Sequence, residues 1–363
     1  MSLPGVLVPR GSSDRLMRAV GAAVGAACGS ALASPWSLRQ PPRDDEPVRM
    51  RSGRWGEPVE LAVLVLEVAQ DEAGFSAPYT PAAQATPAGL STPAGLHKLS
   101  TRMLAWFKAG ERDLPSGVQT LLSAAVDAGE LTAETGGVGE TGGITLETGG
   151  LTQLANKRFE GQRVRERFAD NLILHSGLSA LAATNVGQAA VAAESVARLT
   201  SAHPHTVAAA GYLSALIFEA IHSVKDQPVA RIRPHLASSL VSELERPLIQ
   251  EAIGGGVRGA GLSALDALAG MHAALAVAVE ESERNPRLNP VQVGVEAAVR
   301  AGGDSATVAA LTGAVLGAAW GLAAIPAEWL ERIHGWPGFN WTGLRDLAAG
   351  AFQTRFETPS LGQ

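Results

Sequence analysis

The residues best placed to do chemistry are Ala301-Gly302-Gly303-Asp304-Ser305-Ala306-Thr307. Two consecutive glycines let the backbone turn tightly after one helix. Asp304 then falls where an N-cap belongs, at the start of a long helix of small residues. A capped, buried helix accounts for the whole motif. A second reading uses the same atoms. The Asp304 carboxylate and the Thr307 hydroxyl would face a polar pocket at the positive end of a helix. Such a pocket suits a phosphate or a hydrated hard cation. Local chemistry alone favours the cap.

Other constellations are weaker. Eight histidines are scattered along the chain. His203-Pro204-His205 offers two ligands but sits at a helix start, where capping or surface exposure explains it. No His-Glu-x-x-His and no Gly-x-Ser-x-Gly occurs, so the common zinc-protease and nucleophile-elbow signatures are missing. The runs Glu134-Thr135-Gly136-Gly137, Glu140-Thr141-Gly142-Gly143 and Glu147-Thr148-Gly149-Gly150 carry glycines but no following lysine and no preceding strand. They read as a replicated insertion rather than a phosphate loop.

The elements that must position these residues are helices. Of 363 residues, 46% are hydrophobic, 18% charged and 5% aromatic, with 41 glycines. Alanine and glycine supply much of the apolar count. That composition suits closely packed helices and gives little for a strand face. The expected fold class is all-α, a compact single-domain helical bundle spanning residues 14–350. Residues 1–13 are expected to be a disordered N-terminus and 351–363 a C-terminal tail. Mobile insertions are expected at about 74–96 and 131–156. Helices are expected at 60–70, 99–108, 117–128, 159–183, 186–199, 205–224, 237–253, 262–281, 290–301, 305–322 and 326–333. Pro58 should sit in the first turn of its helix.

Charge and cysteine content exclude further classes. The net charge of −6 argues against a dedicated nucleic-acid binder. A single cysteine, Cys28, excludes an internal disulfide framework and a cysteine-based zinc cluster. Two uncharged stretches, 19–35 and 305–326, pass a crude membrane test. Both carry glycines four apart: Gly21, Gly25, Gly29 and Gly313, Gly317, Gly321. The spacing makes a smooth stripe for close helix approach. Buried helices of a cytoplasmic protein, with no membrane partner, are the expectation.

The stretch GGDSATVAALTGAVLGAAWGLAAIPAEWLERI, within 301–333, resembles the C-terminal signature of the ADP-ribosylglycohydrolase family. That signature runs GGDTDTxAAxxGAxxGAxxG and then IPxxW. Further landmarks follow in the family's order. Residues 21–35 resemble its opening GxxxGxxxGDALGAP. Gly53-Arg54-Trp55-Gly56-Glu57-Pro58-Val59 falls where the family has GxWTDDT. Leu199-Thr200-Ser201-Ala202-His203-Pro204 resembles its LTHxxP segment, and 261–279 its later alanine-rich helix. Asp170-Asn171-Leu172-Ile173-Leu174-His175 is placed at its Asn-Gly-x-x-Met-Arg run.

The resemblance implies a helical fold and removal of ADP-ribose from modified side chains or related compounds. It implies two Mg²⁺ ions held by the TDDT and DTDT clusters. This chain departs at those positions. Gly56, Glu57, Pro58 and Val59 replace the first cluster. Asp304 and Thr307 remain in the second, but Ala306 replaces its middle aspartate. Ser30 replaces the early aspartate and Ser201 the histidine. Glycine, proline and alanine side chains offer no oxygen to a cation that demands oxygen ligands. The site expected from the resemblance therefore has Glu57 and Asp304 as catalytic candidates and Gly302, Gly303 and Ser305 as substrate-binding candidates. At most one weak Mg²⁺ site is expected, at Asp304, Thr307 and Glu57. The expected function is binding of ADP-ribose or an ADP-ribosylated protein with impaired hydrolysis. The alternatives are an active hydrolase with an altered site, using Glu57 as base, and a structural protein with no nucleotide ligand.

Overall fold

A computed structural model describes residues 10–43, 45–72, 89–110, 114–135, 150–161, 170–254 and 261–353. Among them are fifteen α-helices and one two-stranded ribbon. The helices are α1 Arg10–Ala33, α2 Glu57–Glu72, α3 Pro93–Lys108, α4 Ser116–Thr135, α5 Gly150–Glu160, α6 Leu174–Gly177, α7 Val186–Ala197, α8 Pro204–His222, α9 Pro234–Ser238, α10 Arg246–Ile253, α11 Ala264–Arg284, α12 Pro290–Arg300, α13 Ser305–Trp320, α14 Ala327–Leu330 and α15 Trp341–Gln353. Strand β1, His334–Gly335, pairs antiparallel with β2, Phe339–Asn340.

Helices α1 and α13 form the spine, and their glycines decide the geometry. A Cβ on Gly25 would lie 2.2 Å from the Gly313 carbonyl oxygen, and one on Gly313 would lie 2.1 Å from the Gly25 oxygen. Gly21 meets Gly317 and Gly29 meets Ala309 in the same way. The order of these pairs makes the two helices antiparallel, with backbones in contact. No other residue type fits such an approach. Helix α13 is apolar on every face, and all its residues from Ser305 to Ala319 except Ala306 are buried. A helix of that kind belongs at the centre of a core. Among the described residues, Asp14–Ala33 is long and apolar enough to cross a membrane, and 94% of its apolar window is buried inside the protein.

Several expected boundaries move. Thr92-Pro93-Ala94-Gly95 is not part of an insertion. The Thr92 hydroxyl accepts the Gly95 N–H at 3.0 Å, with Pro93 at the first helical position. This is a capped helix start, and Leu90 is buried just ahead of it. Likewise, 150–156 belongs to α5, which buries Leu151 and Ala155. The insertion cores, 73–88 and 136–149, lie outside the described residues. The expected helix 159–183 is interrupted. The Asp170 carboxylate accepts the Leu172 N–H at 3.1 Å, a local turn that competes with helix. The chain resumes as the single turn of α6 and a 3₁₀ turn, Leu178–Leu181. The expected helix 237–253 is two short ones, α9 and α10. The supposed tail begins too early, because α15 runs to Gln353 and buries Ala351 and Phe352. The first helix starts at Arg10, within the stretch expected to be disordered; residues 1–9 lie outside the described residues.

Candidate functional site

The site lies where the C-terminal end of α1 meets the starts of α2 and α13. The α12–α13 corner turns through Gly302 (φ +75°) and Gly303 (φ +66°), a left-handed conformation that glycine alone adopts freely. Asp304 then caps α13, accepting the Thr307 N–H at 3.3 Å. The same carboxylate takes three more donors. Ser37 donates its hydroxyl at 2.8 Å, Thr307 its hydroxyl at 2.9 Å and Asn171 its side-chain amide at 2.5 Å. Asn171 donates its second amide hydrogen to the Gly261 carbonyl at 2.6 Å. Two acceptors therefore fix which way the amide points. Ser37 closes the corner by accepting the Ala306 N–H at 3.3 Å, and the Leu38 N–H donates to the Gly303 carbonyl at 2.7 Å. The Ala306 and Thr307 amides at the start of α13 are thus engaged by the protein's own Ser37 and Asp304. Ser305 is fully buried, and its hydroxyl has no hydrogen-bond partner among the described residues.

The second corner opens α2. Trp55 is fully buried and lies against Gly335, where an added Cβ would come 2.2 Å from the indole nitrogen. The Trp55 N–H donates to the His334 carbonyl, and the His334 N–H to the Gly53 carbonyl. These bonds set the entry to α2. The Gly56 N–H then donates to the Ser30 hydroxyl of α1 at 3.0 Å. Glu57 starts the helix, half-buried, with Pro58 in its first turn. One turn later Glu60 is fully buried. Its carboxylate accepts the Trp106 indole N–H at 2.9 Å and lies 3.6 Å from the Arg54 guanidinium.

A small pocket of 30 Å³ adjoins the first corner. Arg158, Phe159, Asp170, Ser201 and His203 line it. Burial pushes the Asp170 carboxyl up to about 6, against the pull of hydrogen bonds from Ser201 and the Leu172 N–H. The neighbouring Asn171 reaches Asp304, so the Asp170-Asn171 dipeptide joins pocket and corner. His203 caps α8, its Nδ1 accepting the His205 N–H at 3.1 Å. Of the two explanations the sequence offers, capping holds for His203, which is buried.

The donor set does not fit a pair of Mg²⁺ ions. Gly56, Pro58 and Ala306 supply no side-chain oxygen. The Asp304 carboxylate is turned towards hydrogen-bond donors on Ser37, Asn171 and Thr307. Among the described residues no group of three or more His, Cys, Asp or Glu side chains could hold a metal. Asp304 and Thr307 are brought together as expected, and Gly302 and Gly303 form the turn beside them. Glu57 stands at the other helix start, related to them through α1. Sequence reasoning missed Asn171 as the partner of Asp304, Ser37 as a second cap, and Asp170 as a pocket group. Only the placement of 170–175 at the family's Asn-Gly-x-x-Met-Arg run pointed to that region.

Helical architecture, paired glycine stripes and a capped Gly-Gly-Asp corner define the class. The ADP-ribosylglycohydrolase family model matches residues 11–360, and the chain belongs to that family. A solved structure described as an ADP-ribosylglycohydrolase-related protein complex superposes with a TM-score of 0.64 at 21% identity, covering 94% of this chain and 99% of that one. At that identity the likeness shows the fold. No protein of curated function matches the chain.

Proposed function

We propose that this chain is a binder of ADP-ribose or ADP-ribosylated protein in which Mg²⁺-dependent hydrolysis is lost. The observation that carries the reading is the closed state of Asp304. Two-metal hydrolysis needs several oxygen ligands with free lone pairs and an open position for water. Here one retained carboxylate accepts four hydrogen bonds from the protein, and the positions that should complete the set are glycine, proline and alanine. Ser30 stands at a further substituted position, and its hydroxyl accepts the Gly56 N–H.

Support for ADP-ribose as the retained ligand comes from the family match over residues 11–360; the polar pocket of 30 Å³ beside this corner has room for about one water. It combines a guanidinium, an imidazole and a carboxyl group over a small apolar floor. The test is release of ADP-ribose from an ADP-ribosylated protein preparation, followed over a Mg²⁺ series. No release above the uncatalysed rate is expected at any Mg²⁺ level, with the modified protein retained on the immobilised chain. Release that rises with Mg²⁺ would overturn the reading.

A further inference from the structure

A flat surface adjoins the Asp304 corner. Trp36 follows α1 and directly precedes Ser37, whose hydroxyl is bonded to Asp304. The indole is half-buried and packs against the core. The exposed Arg51 side chain covers it, with the guanidinium 4.7 Å from the ring centroid. Backbone contacts hold the loop that carries Arg51. Arg300, at the end of α12, donates to the carbonyls of Arg43 at 2.6 Å and Glu46 at 2.8 Å. Arg332 donates to the Arg51 carbonyl at 3.0 Å. The Arg51 guanidinium itself makes no hydrogen bond or ion pair among the described residues.

A second arginine–indole pair gives the contrast. The Arg345 guanidinium lies 5.3 Å from the Trp341 ring, but it is paired with Asp346 at 2.7 Å. That stack is neutralised by its own neighbour. The Arg51 stack is not, and it adjoins the corner. Leu38 adds an independent sign. Its backbone is left-handed, at φ +56°, and its side chain is 65% exposed. Its N–H donates to the Gly303 carbonyl at 2.7 Å. A branched residue held in that conformation is strained, and such strain gathers at ligand sites.

We propose that the outer face of the Arg51 guanidinium, backed by Trp36, seats the adenine ring of ADP-ribose. The inference rests on the nucleotide-binding reading above and names the residues that take the base. Adenine is the flat aromatic part of that ligand, and a pocket with room for about one water cannot hold it. A planar guanidinium stacks on an aromatic face. The indole beneath fixes the guanidinium in advance, which lowers the cost of ordering it on binding. The plane matters here, not the charge alone. A lysine at this position would supply the charge without the plane.

The test is calorimetric titration of the full chain with ADP-ribose. Arg51→Ala and Arg51→Lys should each lose about tenfold in affinity, in keeping with one stacked base. The control Arg345→Ala removes the other arginine–indole stack and should bind like wild type. Melting curves would verify that each variant folds. Wild-type affinity in Arg51→Ala, or an equal loss in Arg345→Ala, would overturn the proposal. Full rescue by Arg51→Lys would also overturn it, because the contact would then be one of charge with the diphosphate. In all three cases wild-type binding, and with it the proposed function, would stand. No binding of ADP-ribose by the wild type would defeat both.

Discussion

Asn171 reaches across 133 positions of sequence to place its amide 2.5 Å from the Asp304 carboxylate. The bond ties the turn before α6 to the cap of the central helix, and it turns a would-be ligand inward. If this network is what Asp304 now serves, the two residues should be energetically coupled. Asp304→Ala should cost roughly 1–3 kcal/mol, from the lost cap and from an amide left without its acceptor. A double-mutant cycle with Asn171→Ala, read by urea unfolding, should give a coupling of about 1 kcal/mol or more. Strictly additive losses would show that the contact carries no weight.

The spine makes a second prediction. Gly25→Ala and Gly313→Ala each drive a methyl group into a backbone carbonyl 2.2 or 2.1 Å away. Overpacking of that sort should destabilise by roughly 1–3 kcal/mol. Gly110, which has nothing within 4 Å of its would-be Cβ, provides the comparison. Gly110→Ala should leave the melting temperature nearly unchanged. Equal effects at all three sites would contradict the close approach of α1 and α13.

Acid should weaken the fold through two buried histidines. Burial lowers both His175 and His272 from 6.5 to about 4. Both ring nitrogens of His175 lack a hydrogen-bond partner among the described residues, while His272 Nε2 is 2.7 Å from the Tyr212 hydroxyl. Between about 4 and 6.5 the unfolded chain binds more protons, so stability rises with pH there. The contribution is full above 6.5 and is lost as the pH falls towards 4. Melting temperatures from pH 7.5 to 4.5 should fall, and His272→Gln should flatten the slope. An unchanged slope in that variant would remove His272 from the account.

Asp170 has the opposite sign. Burial raises its carboxyl from 3.8 to about 6, so the folded state binds more protons than the unfolded chain between those values. Its contribution is present below 3.8 and is lost as the pH rises through 6. At pH 7.5 an ionised carboxylate is held in a partly apolar pocket. Asp170→Asn keeps an acceptor for the Leu172 N–H and the Ser201 hydroxyl, so it should raise the melting temperature at pH 7.5. The gain should shrink as the pH is lowered below 5. A variant less stable than wild type at pH 7.5 would show that the carboxylate gains more from its donors than burial costs it.

Much of this was legible in the chain, and the reasons are local. The glycine stripes, the Asp304 cap and the His203 cap each need only neighbouring residues, so spacing reveals them. Repetition misled where composition was ambiguous. The same Thr-Pro-Ala-Gly residues that read as low complexity at 92–95 supply a cap and a proline-led first turn for α3. Helix α15 was not among the expected helices, and the domain was ended at 350 although the last buried turn of α15 runs to Gln353. The contacts of Asn171 with Asp304, Glu60 with Trp106 and Arg300 with Arg43 join distant segments. No periodicity in one sequence announces such pairs, and they decide whether a carboxylate is free or engaged.

The most direct test of the central claim is calorimetric titration of the full chain with ADP-ribose, first in Mg²⁺ and then in EDTA. The account predicts binding with the same affinity in both conditions, because Asp304 is held by Ser37, Asn171 and Thr307 rather than by a cation. Binding that appears in Mg²⁺ and vanishes in EDTA would mean that Glu57, Asp304 and Thr307 still assemble a metal site, and would contradict it.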